Sequence, residues 1–120
     1  MRQLNSAVLL IFAPVLILTG VLGFVIPPRQ SVLSGAPAYN VFHIVSGVVG
    51  LLLVLTKRES LARGFNAGFG VIDLYQALAS GLHLFPEDVF RWTWADDVLH
   101  LVIGTGLVVV GAYRARRPGT

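Results

Sequence analysis

The chain has no cysteine, which excludes disulfides, thiolate metal sites, iron–sulfur clusters and cysteine nucleophiles together. Charge is scarce as well. Charged residues are 12% of the 120, against roughly a quarter in soluble domains. Hydrophobic residues reach 55% and the mean hydropathy is +0.76. So little polar surface cannot cover a water-soluble globule, and so apolar a chain does not stay disordered. Composition points to a lipid bilayer as the solvent. Enzyme signatures are missing too: there is no phosphate loop, no G-x-S-x-G elbow and no H-E-x-x-H. The expected protein is therefore not an enzyme.

Four stretches approach the roughly 20 apolar residues that a helix needs to cross a bilayer. They run over about 7–26, 40–56, 65–85 and 97–113. The first follows Arg2 and resembles a signal peptide, but its apolar run is long and no small-x-small site follows closely, so it is read as a retained helix. The second and fourth are short, and their polar first residues, Asn40 and Asp97, have the chemistry of helix N-caps. The expected fold is all-α, a single four-helix transmembrane bundle.

The net charge is +3. It sits in short flanks between apolar runs, as on a cytoplasmic membrane face and not as in a nucleic-acid groove, so no nucleic-acid partner is expected. Four spans place Arg2, Lys57, Arg58, Arg63, Arg114, Arg116 and Arg117 on one side, leaving Arg29 and Arg91 on the other. The positive-inside rule then puts both termini in the cytoplasm, in a bacterial inner membrane. Tyr39, Phe90, Trp92 and Trp94 fall at the outer boundary and Tyr113 at the inner one, as an aromatic belt requires.

The second and fourth spans repeat each other. Asn40-Val-Phe-His43-Ile-Val-Ser-Gly47 aligns without gaps to Asp97-Val-Leu-His100-Leu-Val-Ile-Gly104, 57 residues on. A polar residue, a histidine and a glycine recur at i, i+3 and i+7, one face of a helix. Two like-oriented hairpins about a pseudo-twofold axis follow from it. Gly64 and Gly68 form a small-xxx-small pair, which lets membrane helices approach closely. The N-x-x-H-x-x-x-G opening, its repeat from Asp97 and the four-span layout resemble an uncharacterised family of small bacterial membrane proteins, a domain of unknown function. The resemblance implies the fold and no activity.

Three function classes remain open. In the favoured one, small-residue packing faces and short loops make a non-enzymatic accessory or structural subunit, whose partners are lipid and other membrane subunits or copies of itself. In the second, His43 and His100 lie at one depth on two helices, the arrangement by which a membrane bundle ligates haem b; one imidazole would suffice for a chlorophyll magnesium. Asn40 and Asp97 would then orient the rings, with Gly47 and Gly104 leaving room for the macrocycle. A zinc site from the three histidines with Asp96 or Asp97 lacks any tight ligand spacing. In the third, Asp73, the one acid inside a span, supports ion or proton passage with Tyr75 and Gln76 as neighbours. The plainer reading makes Asp73, Gln76, His83 and the other histidines interhelical hydrogen-bonding groups.

Overall fold

A computed structural model describes residues 3–27 and 30–113. Arg2, Arg29, Arg114, Arg116 and Arg117, which carry much of the orientation argument, lie outside the described residues. Within them the chain is helical, with no strand: α1 (Leu4–Val25), α2 (Pro37–Leu55), α3 (Glu59–Leu82), the single turn α4 (Glu87–Phe90) and α5 (Trp94–Ala112).

Each long helix begins earlier than its apolar run. Pro37 opens α2, where a proline's fixed φ suits the first helical position. Thr93 caps α5, accepting from the Asp96 backbone N–H while the Asp96 carboxylate accepts from the Thr93 N–H. This reciprocal cap satisfies two donors that a helix start leaves free. Asn40 and Asp97 are therefore one turn inside their helices and are not the caps. The early starts give both helices 19 residues, removing the shortness that the apolar runs suggested.

Three helices, α1, α2 and α5, are long and apolar enough to cross a membrane. The fourth long helix, α3, has 24 residues and extends about 36 Å at the helical rise, but it is less apolar. Its polar residues explain this: Asn66, Asp73 and Gln76 are all buried, while Val71, Ile72 and Leu78 face outward. A hydropathy average counts that inward face against α3.

The closest packing joins α1 to α2 and α3 to α5. A Cβ on Gly47 would lie 2.6 Å from Ile17 Cγ1 and 2.7 Å from the Ala13 carbonyl. One on Gly104 would lie 2.9 Å from the Gly70 carbonyl and 3.1 Å from Leu74 Cγ. The second set of residues follows the first by the same 57 positions that align the two sequence segments. Phe12 and Phe69, separated by that offset too, meet edge-on between the pairs with centroids 5.6 Å apart.

Gly64 and Gly68 behave differently. Nothing lies within 4 Å of the Cβ position at either, so the small-xxx-small pair makes no contact inside the chain. The face of α3 that packs instead carries Ala67 and Gly70, against Gly111 and Gly104 of α5.

The interior is layered. Where α1 and α3 begin, here the lower end, Asn5, Asn66 and Glu59 form a polar group. Above it lie Leu9, Ala13 and Ala62, then Leu16, Phe69 and Leu107 with Phe12, Phe42 and Phe65 against them. The upper end, where α2 and α5 begin, holds a second polar group.

Candidate functional site: a buried polar cluster at the upper end

The upper cluster is assembled from three helices and two loops. Asp96 is its anchor. Its Oδ2 accepts from the backbone N–H of Ser34 at 2.8 Å and of Thr93 at 2.8 Å, so one carboxylate ties the α1–α2 loop to the start of α5. Its Oδ1 accepts from the Tyr39 hydroxyl at 3.2 Å. The loops are further joined by Ser34 Oγ donating to the Phe90 carbonyl and Thr93 Oγ1 to the Val32 carbonyl.

Tyr39 connects that anchor to the histidines. Its hydroxyl oxygen lies 2.7 Å from Nε2 of His100, and its ring lies tilted against the ring of His43 with centroids 4.1 Å apart. Trp92 stands edge-on to His100, and its indole N–H donates to Gln76 Oε1 at 3.1 Å. The Gln76 amide in turn donates to Asp73 Oδ1 at 3.2 Å. Asp97 points to α3, where Ser80 Oγ donates to its Oδ2 at 3.0 Å. Tyr39, His43, Asp73, Gln76, Asp96 and His100 are all at least nine-tenths buried. Polar groups this deep normally find partners, yet Nδ1 of His43, Nδ1 of His100 and Oδ1 of Asp97 have none.

His43 and His100 are thus both inside, and Tyr39 touches both. Asp73 and Gln76 belong to the same chain of bonds. Tyr75 does not, being exposed with its hydroxyl on the Phe85 carbonyl. His83 is apart as well: its side chain is 80% exposed and pairs with Glu87 at 3.0 Å. The orienting partners expected for the histidines are also displaced. Asn40 donates to the Gly35 carbonyl, and the groups one residue earlier, Tyr39 and Asp96, are the ones linked to His100. The Thr93-x-x-Asp96 cap was the sequence signal that pointed there.

The cluster does not fit a macrocycle. Gly47 and Gly104 are covered by α1 and α3, so the space they were expected to leave is filled. The Nε2 of His100 is taken by Tyr39, whose ring lies against both imidazoles. Nor do three or more His, Asp or Glu among the described residues converge as a metal site would need.

The lower polar group works as a clasp. Gln3, at the N-cap position of α1, gives no side-chain cap. Glu59 of α3 supplies it from across the gap, Oε2 accepting from Asn5 N–H and Oε1 from Ser6 N–H, each at 2.9 Å. Burial acts to raise the pKa of Glu59, but these donors prevail and hold it below the usual carboxylate value. Asn66 completes the clasp by donating to Asn5 Oδ1 at 3.1 Å.

Comparison with family models, curated proteins and solved structures finds no match.

Proposed function

We propose that the chain is a four-pass protein of the bacterial inner membrane, made of two alike helical hairpins, which serves as a non-enzymatic accessory subunit seated against other membrane helices along α3. The observation carrying the subunit role is the open face at Gly64 and Gly68. Elsewhere glycines such as Gly47, Gly70, Gly104 and Gly111 are used for close packing inside the chain. A small-residue pair with no internal partner is a surface on which a second helix can approach closely.

The four-pass reading rests on the length of α3 and on the burial of its polar side chains. The hairpin repeat is supported by the packing of Gly47 and Gly104, whose partners also differ by 57 positions. The pigment reading has lost the space it needed, and no observation favours it.

The absence of native cysteine allows a direct test. Gly68→Cys, carrying a maleimide–benzophenone photo-cross-linker in native membranes, is expected on illumination to give one discrete adduct with another membrane subunit, or with a second copy. A control on the outer face of α5, Val109→Cys, is expected to give none. Failure to cross-link at Gly68, or equal cross-linking at both sites, overturns the docking face. A Soret band in the purified protein that is lost in His43→Ala overturns the accessory reading in favour of haem.

A further inference from the structure

Along the upper part of α1, Thr19, Leu22, Gly23 and Ile26 line a cleft of about 220 Å³, and the α1–α2 loop from Gln30 to Ser34 forms its other wall. The four helical positions follow i, i+3, i+4 and i+7, a single stripe about 10 Å long at the helical rise. Leu22 and Ile26 supply apolar surface from the helix, and Val32 and Leu33 supply it from the loop. Instead of folding down onto α1, the loop is fastened to the start of α5. The Val32 carbonyl accepts from Thr93 Oγ1 and the Ser34 N–H donates to Asp96 Oδ2, each at 2.8 Å. The cleft is thus pre-formed, as binding sites usually are.

Its hydroxyl groups do not make it a polar site. Thr19 Oγ1 donates to the Val15 carbonyl and Ser31 Oγ to the Leu33 carbonyl, each at 2.7 Å. Ser34 Oγ donates to the Phe90 carbonyl. All three hydroxyl protons are spent inside the chain, and no charged side chain lines the cleft among the described residues. A sugar, a nucleotide or an ion would find nothing here to replace its water.

We propose that the cleft seats one acyl chain of a phospholipid from the leaflet at the upper end, with the ester end of the chain towards Gln30. Gln30 is exposed and its backbone N–H bonds to the Pro27 carbonyl, so it stands just beyond the top of α1, while Thr19 lies two turns below. The volume has room for about seven groups the size of a water molecule or a methylene. A partner helix, about 10–12 Å across with its side chains, is too wide for it. The cleft also continues into the outer face of α1, where Leu18, Val21 and Val25 are exposed on a helix apolar enough to cross a membrane. The remainder of the lipid chain lies along that face. The site rests on the membrane-spanning reading proposed above.

The test is native mass spectrometry of the full chain released from nanodiscs of dioleoylphosphatidylcholine. Wild type is expected to retain one lipid per chain, and Val21→Trp, on the neighbouring outer stripe of α1, should retain it too. In Leu22→Trp the indole fills the cleft, and the lipid-bound fraction should fall about tenfold, as the loss of about ten close carbon contacts implies. Val32→Asp should lower retention from the loop wall, so a folding defect in one variant leaves the other to decide. Dioleoylphosphatidylglycerol should be retained equally, because the chain and not the headgroup is held. Loss of lipid from wild type, equal loss in Val21→Trp and Leu22→Trp, unchanged retention in both cleft variants, or binding that follows the headgroup overturns the proposal. The membrane reading is checked separately by alkaline carbonate extraction of native membranes. Release of the chain there overturns both, whereas a chain that stays in the membrane but retains no lipid overturns the acyl-chain site alone.

Discussion

Single side chains at the two ends fasten segments far apart in sequence, and their loss should be felt out of proportion to their size. Tyr39→Phe removes one oxygen and leaves Asp96 Oδ1 and His100 Nε2 without their shared partner. Stranding buried polar groups costs about 1–3 kcal/mol, so this variant is expected to unfold at a lower temperature in detergent micelles. An unchanged midpoint would show that the phenol bonds contribute nothing. At the lower end, Glu59 acts through its charge. Its pKa is depressed in the folded chain, so the clasp contributes fully above the ordinary value of 4.5 and is lost as pH falls through the folded value. Glu59→Gln should lower stability by about 1 kcal/mol at neutral pH, a figure reduced for the partial exposure of the carboxylate. It should also flatten the acid limb of the stability profile. Thermal melts of both proteins at neutral and acid pH check this, and parallel profiles would dismiss the charge.

Helix against helix, the decisive residues are the ones with no side chain. Gly104→Val places a branched side chain where even a Cβ would meet the Gly70 carbonyl at 2.9 Å and Asp73 Cβ at 3.0 Å. Overpacking of this kind costs about 1–3 kcal/mol or more, because backbone must move. Gly68→Val meets open space and should leave the melting temperature of the isolated protein nearly unchanged. Comparable losses in the two variants would mean that glycine itself, and not close approach, is required. The sequence held part of this. Helical phase placed His43 and His100 inside, and the spacing of Gly47 and Gly104 is legible in the aligned segments. What periodicity could not say was which face of α3 meets α5, since Gly64/Gly68 and Ala67/Gly70 both present small residues. Nor could it place Tyr39: an aromatic near a helix start suits an interfacial belt as well as an interior. Only the Asp96 carboxylate, brought alongside by folding, separates those cases. The helix starts were missed for a local reason, because an apolar run marks where lipid begins and a cap marks where hydrogen bonding begins.

At the scale of the whole molecule, polar groups at both ends are separated by Leu16, Phe69 and Leu107 with the aromatic rings packed on them. A charge moving between Asp73 and the lower clasp would have to cross that apolar layer, at the full expense of desolvation. Asp73→Asn should therefore leave vesicles no less permeable to ions than wild type, and a flux abolished by the substitution would restore the transport reading. The same layering gives orientation a physical basis. Lys57 and Arg58 lie in the turn between α2 and α3, and Arg63 follows in the first turns of α3, so the described cations other than Arg91 gather at the lower end. Asp88 and Glu87 mark the upper one. In the inner-membrane topology proposed above, the positive-inside bias keeps these cations, and with them the lower end, in the cytoplasm. Both positions are exposed and the chain has no competing thiol, which makes single cysteines clean reporters. In intact spheroplasts Asp88→Cys is expected to react with a membrane-impermeant maleimide, and Lys57→Cys only after permeabilisation. Reversed labelling would invert the topology, whereas labelling of both from outside would mean that α3 does not cross and that the chain passes through the bilayer fewer than four times.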